Sequence, residues 1–289
     1  MSTSSHLTYF FLVVLSKVLK KTPKTLKKKF SLFLAYILFD IIRLRRKTVL
    51  KNLNIVFSQT YSKDKLISMG RCSLYHTILT IFEAVESHKG GLVSKTTVVG
   101  KTHMEEALKE NKGAYSVCCH LGNFEVLGPA GTKFFCQAHG IAKALKNKGA
   151  NKFLEELRET NGMSWLKRYK KGDGVRQIND VLKKKELLGF VIDHARPNEE
   201  RLPFFGKAAL SNTSLAAIWR KHKAPLVPTF VRRIDYGQHE LCFLPQLKLK
   251  ETSNKEKDIT NHTKEFNKIV EQMILKNPKQ YFWLHNRWK

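Results

Sequence analysis

Gly113-Ala114-Tyr115-Ser116-Val117-Cys118-Cys119 is a run of small and apolar residues opened by glycine, and His120-Leu121-Gly122-Asn123-Phe124-Glu125 follows it directly. The run has the length and apolarity of a buried strand, and Asn123 is a residue type that caps a helix. A strand that hands over to a helix is the repeating unit of an α/β sheet. The corner between the two, at the end of the strand, is where such folds commonly place chemistry.

The corner carries a histidine and a carboxylate five positions apart. On one helix, residues five apart differ by about 140° of rotation, so His120 must lie off the helix and Glu125 in its first turns. Histidine takes and returns protons near neutral pH. A carboxylate beside it can fix its tautomer and stabilise its cation, the arrangement that activates a hydroxyl for attack on a carbonyl. The plain alternative is a buried histidine bonded to a neighbouring acid for packing.

Outward from this corner, strands and helices alternate. Upstream, a short strand at 96–99 and a helix near 102–110 follow a break at Gly90-Gly91. Downstream, the motif helix covers about 123–138, and further helices are expected at about 149–161, 174–185 and 212–222. Strands are expected at 187–192, ending at Asp193, at 226–231, and at 241–244, the last at an edge. A charged helix covers about 255–276. This order predicts an α/β fold with a mixed, mostly parallel central sheet flanked by helices.

The chain has 289 residues, 42% of them hydrophobic, enough for one large core or two small ones. Lysine and arginine number 52 against 24 acidic residues, a formal charge of +28. Such an excess normally faces a polyanion: nucleic acid, an anionic membrane or a phosphorylated substrate. The five cysteines, Cys72, Cys118, Cys119, Cys136 and Cys242, have no Cys-x-x-Cys spacing and read as free thiols. No zinc-type spacing of Cys and His occurs, and no metal is expected.

Residues 7–15 are strongly apolar, a lysine-loaded segment follows, and a second apolar run from Phe30 to Ile42 closes on Arg43, Arg45, Arg46 and Lys47. Neither run reaches the ~20 residues that cross a bilayer comfortably. Apolar helices alternating with lysines suit an interfacial anchor, with the lysines on anionic headgroups. Residues 1–44 are therefore expected to be a membrane-associating helical segment and 45–289 the catalytic domain.

Several segments together resemble the late acyltransferases of lipid A biosynthesis, within the superfamily of glycerolipid and lipid A acyltransferases. His120-x-x-x-x-Glu125 is similar to their His-x4-Asp/Glu motif. Asp193-His194-Ala195-Arg196-Pro197, followed by Pro203-Phe204-Phe205-Gly206, looks like their Asp … Pro-Phe-Phe-Gly block. Ala224-Pro225-Leu226-Val227-Pro228, the Arg232-Arg233 pair and the chain end from Gln280 to Lys289 also fit, as do Arg46 to Phe57 and Glu83. The likeness is collinear and spans nearly the whole chain. There are departures: Ser211 stands where threonine is usual, Lys143 where arginine is usual, and His194 where glutamine is commoner.

The resemblance implies transfer of a fatty acyl group from acyl carrier protein to a hydroxyl of a lipid A precursor of the Kdo-lipid IVA type. It implies no cofactor, and a place on the cytoplasmic face of the inner membrane. On this reading His120 is the general base, Glu125 orients it, backbone N–H groups at the start of the motif helix face the oxyanion, and Asn123 is a substrate-binding candidate. Lys143, Lys146, Lys148, Arg158, Arg232 and Arg233 are candidates for acceptor phosphates. Asp193 orients a basic residue or ties a loop, and Phe204 and Phe205 wall an acyl channel or are plain core. Another lipid acceptor, such as a glycerolipid, an aminolipid or a phosphoinositide mannoside, is the competing reading. A nucleic-acid partner is disfavoured: the basic residues bracket apolar runs, and no nucleic-acid-binding signature occurs.

Overall fold

The computed structural model describes residues 2–141, 144–166, 173–194 and 199–289. Its centre is a seven-stranded sheet made of β1 (Lys95–Val99), β2 (Ala114–Cys118), β3 (Ala138–Ile141), β4 (Met163–Leu166), β5 (Leu187–Val191), β8 (Leu226–Asp235) and β9 (Gln238–Phe243). The spatial order is β1-β9-β8-β2-β5-β3-β4. The five strands from β8 to β4 run parallel. β9 is antiparallel to β8, and β1 is parallel to β9. A separate hairpin, β6 (Glu200–Phe204) and β7 (Lys207–Ser211), lies apart from the sheet.

Alternation along β2 divides its side chains between two layers. Tyr115 and Val117 join the larger core with α3 (Arg46–Phe57), α4 (Lys63–Glu86), α8 (Asp173–Lys183), α9 (Ser214–His222) and α10 (Lys255–Lys276). Ala114 joins the other layer, with α5 (Lys101–Lys109) and α6 (Leu127–Phe134).

The mixed, mostly parallel sheet with flanking helices agrees with the expectation, but three features differ. The last strand does not form an edge: β9 is flanked by β8 and by β1, which pairs with it from Lys95↔Gln238 to Val99↔Cys242. The motif helix is shorter than 123–138. It begins as a 3-10 turn over Phe124–Val126, and α6 ends at Phe134, so that residues 138–141 become β3. Gly128 and Gly131 weaken the helix, and the Ala138 N–H is taken by the Thr132 hydroxyl.

The third difference is at the N-terminus. No helix among the described residues is long and apolar enough to cross a membrane, and the expected N-terminal apolar anchor is not borne out. α1 (Thr3–Lys21) and α2 (Lys24–Tyr36) instead pack on the body of the protein. Leu19 is buried with Val85 and with Phe153 and Leu157 of α7 (Lys148–Thr160). Three of the four lysines of α2 meet protein carboxylates. Lys27, 5% exposed, bonds Glu86 at 2.7 Å, while Lys24 and Lys28 both reach Asp235. The outer face leaves Phe10, Phe11 and Phe33 exposed.

Candidate active site

His120 leaves the end of β2 in a loop tied down on both sides. Its carbonyl accepts from Phe282 N–H, and Gly122 N–H donates to the Gln280 carbonyl. Gly122 has a left-handed backbone (φ +62°), and a Cβ there would lie 2.2 Å from the Val231 carbonyl oxygen. Only glycine fits this turn. From α4, Thr80 Oγ1 donates to the Gly122 carbonyl, and Glu83 accepts from Asn123 Nδ2 at 2.8 Å. Asn123 is fully buried and caps the Phe124–Val126 turn through its side-chain oxygen. It is therefore a loop-fixing residue.

The histidine's partner comes from a different strand. Asp193 follows β5, the neighbour of β2, and its carboxylate accepts from His120 Nδ1 at 2.8 Å and from the His120 backbone N–H at 3.1 Å. Asp193 is 1% exposed. Burial alone would raise its carboxyl, but the charge and hydrogen bonds of His120 hold it well below the usual carboxylate range. His120 Nδ1 faces Asp193, which leaves Nε2 as the nitrogen for chemistry.

Glu125 does not bond His120, contrary to the expectation. Its two oxygens take a bidentate pair from Arg158 of α7, at 2.7 and 2.9 Å. The tight turn begun at Asn123 sends Glu125 toward α7, and Asp193 has already filled the Nδ1 side of the imidazole. Arg158 also stacks over the Trp165 ring, with its guanidinium carbon 3.9 Å from the centroid. Glu125 and Arg158 still belong to the same site, because both line the cavity at which His120 sits.

That cavity, about 260 Å³, lies between the sheet and α6. His120, His194, Glu125 and Arg158 form its polar end. From there it follows Cys118 and Ser116 on β2, and Val191, Gly189 and Leu187 on β5. Phe124, Leu127, Met163 and Trp165 close its sides. From Val191 to Leu187 it runs about 13 Å along the strand, at ~3.3 Å per residue. The composition is that of a pocket for an apolar chain with a polar head at one end.

His194 lies flat on His120, with ring centroids 3.7 Å apart and planes 11° off parallel. His285 stacks near its other face, at 4.2 Å. Burial pushes the His194 imidazole down to about 3 and that of His285 down to about 4. His120, Asp193 and His194 offer three ligand-type atoms within 4.8 Å of one another. Asp193 is engaged with His120, however, and the stacked rings hold their lone pairs in two near-parallel planes, with ring centroids 3.7 Å apart, unlike the ligands of a tetrahedral site.

The other expected site residues fall elsewhere. Phe204 is buried against Trp288 and under Arg287, and Phe205 packs on its edge, so this pair is core and not channel wall. Arg232 is paired with Glu240 across the β8–β9 ladder. Arg233 is buried and spent on Glu83, His76 and Thr80. Lys146 and Lys148 are exposed near the start of α7. Lys143 lies outside the described residues, as do Ala195, Arg196 and Pro197. At the motif turn, the N–H groups of Gly122, Glu125 and Val126 are already bonded within the protein, which removes Glu125 and Val126 from the backbone donors expected to face an oxyanion. The sequence reading missed the Asp193–His120 pair and the cavity walls Met163 and Trp165. Asp193 did carry a signal, an acid at the end of a buried strand, but nothing local named its partner.

The family model for bacterial lipid A biosynthesis acyltransferase matches residues 2–289. A lipid A biosynthesis palmitoleoyltransferase of Escherichia coli (strain K12) is 25% identical over 254 residues, covering 86% of this chain and 80% of its own. A lipid A biosynthesis acyltransferase of Shigella flexneri matches to the same extent. A lipid A biosynthesis lauroyltransferase of Escherichia coli (strain K12) is 27% identical over 198 residues, covering 67% of this chain and 62% of its own.

Proposed function

The chain belongs to the bacterial lipid A biosynthesis acyltransferases, and on that premise we propose that it moves a fatty acyl group from an acyl carrier protein thioester to a hydroxyl of a lipid A precursor of the Kdo-lipid IVA type, with His120 as general base and Asp193 as the residue that orients it. The observation that carries the reading is the His120 Nδ1–Asp193 bond at 2.8 Å, made at the mouth of an apolar cavity.

The chemistry follows from the geometry. An acceptor hydroxyl is a weak nucleophile, and a base within hydrogen-bond reach contributes about 10²–10⁴-fold. His120 Nε2 takes the hydroxyl proton as the oxygen attacks the thioester carbonyl. Asp193 holds the tautomer and stabilises the imidazolium that results. The acyl chain occupies the cavity between the sheet and α6. Glu125 and Arg158 fix its polar end and hold Trp165 as a wall. Lys146 and Lys148 are the exposed cations left to meet acceptor phosphates. A lipid acceptor places the site of work at the cytoplasmic face of the inner membrane, and that placement rests on the acceptor, not on a spanning helix.

The test is direct. The purified protein is given an acyl carrier protein thioester with either a tetra-acylated, Kdo-bearing lipid A precursor or a lysoglycerolipid, and the products are weighed by mass spectrometry. One added acyl chain on the lipid A precursor alone is expected. Acylation of the glycerolipid alone would overturn the acceptor assignment.

A further inference from the structure

We propose that His194 is a catalytic residue that donates an imidazole N–H to the oxyanion formed when the acyl thioester is attacked. The proposal rests on the acyltransferase reading and adds the group that stabilises its negative charge.

Three observations converge on it. First, His194 lines the cavity beside His120, its ring parallel to that of the base at 3.7 Å, with a nitrogen of each ring and an Asp193 oxygen all within 4.8 Å. Two side-by-side imidazoles suit two oxygens on one tetrahedral carbon, the attacking oxygen facing one ring and the former carbonyl oxygen the other. Second, His194 Nε2 is buried with no hydrogen-bond partner. An unmet buried polar atom costs about 1–3 kcal/mol, which a bound substrate oxygen would relieve. Third, several of the other donors near the reaction are occupied. The motif-turn N–H groups of Gly122, Glu125 and Val126 are bonded internally, and Arg158 is held by both oxygens of Glu125.

The ring is also held in place and neutral. His285 stacks on it at 4.2 Å and Phe282 lies against it at 5.6 Å, which restricts its rotation. Burial, pushing its pKa down to about 3, keeps it uncharged while His120 becomes cationic, so the two rings do not repel. The donor form is the Nε2–H tautomer.

The step balances as follows. The acceptor oxygen bonds to the carbonyl carbon, the carbonyl π pair moves onto oxygen, and the hydroxyl proton passes to His120. His194 donates a hydrogen bond to that oxygen and keeps its proton. The pair then returns, the C–S bond breaks with its electrons on sulfur, and the proton on His120 goes to the thiolate.

The test compares His194→Phe, which keeps an aromatic ring against His120 but has no donor, with His194→Gln, which keeps a donor but loses the stack. Turnover, KM and melting temperature are measured on the full chain. For His194→Phe, kcat is expected to fall about 10²–10³-fold, the usual loss of one oxyanion donor, with KM and melting temperature close to wild type. His194→Gln is expected to stay within about tenfold of wild type, a loss of less than one donor's worth. A phenylalanine variant as active as wild type overturns the proposal. So does a glutamine variant as impaired as the phenylalanine one, because packing would then be what matters. A wild-type protein that transfers no acyl group overturns the acyltransferase reading itself, a distinguishable result.

Discussion

Glu83 is 4% exposed and accepts from Arg233, His239, the Gly237 N–H and Asn123. Burial would raise its carboxyl, but the Arg233 charge and the His239 and Arg233 hydrogen bonds lower it to about 2. A carboxyl whose folded value lies below its unfolded value stabilises the fold at pH above the unfolded value, and that stability is lost as pH falls. Its contribution is therefore full above about 4.5 and fades as pH drops toward about 2. The loop bearing His120 and Asn123 should loosen with it, since Asn123 bonds the same carboxylate. Melting temperature followed from pH 7 down to pH 3 should fall more steeply for wild type than for Glu83→Gln, which has no carboxyl to protonate. Parallel curves would show that Glu83 does not couple protons to folding.

At the level of elements, the cavity depends on small residues where α6 and the β3–β4 pair approach each other. A Cβ on Gly140 would meet Met163 Cε at 2.3 Å and the Trp165 ring at 3.0 Å. The Met163 tip is flexible and can give way, so Gly140→Ala should fold, with the added volume taken from the cavity. The expected outcome is a preference for a shorter acyl donor, read as a change in the ratio of kcat/KM between two chain lengths. An unchanged ratio would remove Gly140 from the pocket that selects the chain.

The same elements show what the sequence made legible. β2 and β5 are apolar runs, and both were readable, as was the long charged helix α10. β3 (Ala-His-Gly-Ile) and β4 (Met-Ser-Trp-Leu) are four-residue strands with no run of β-branched residues, and only their neighbours make them strands. β9 looked like an edge because nothing in its own residues announces β1, which lies far upstream in the chain. His120 and Glu125 were legible as site residues from their spacing. The carboxylate that bonds His120 was not, because Asp193 is 73 positions from His120 and only the adjacency of β2 and β5 joins them. Lys24, Lys27 and Lys28 read as headgroup ligands because their carboxylate partners, Glu86 and Asp235, lie far away in sequence.

Over the whole molecule, the ends of parallel strands gather the chemistry in one place. His120 follows β2, Asp193 and His194 follow β5, and Thr229 of β8 reaches the same cavity. The C-terminal segment closes over them: Phe282 bonds the His120 carbonyl, His285 stacks on His194, and Asn52 of α3 holds the carbonyls of Trp283 and His285. Residues far apart in the chain thus converge around His120, and in the proposed mechanism the Asp193 bond to Nδ1 is the contact that makes its imidazole a base. Steady-state kcat of Asp193→Asn, with acyl carrier protein thioester as donor and the lipid A precursor as acceptor, measures that contact most directly. The amide keeps the shape but loses the charge and the tautomer control, so kcat should fall by about 10²–10⁴-fold, the range for lost general-base catalysis, in a protein that still folds. Turnover at the wild-type rate would contradict the assignment of His120 and Asp193 as the working pair.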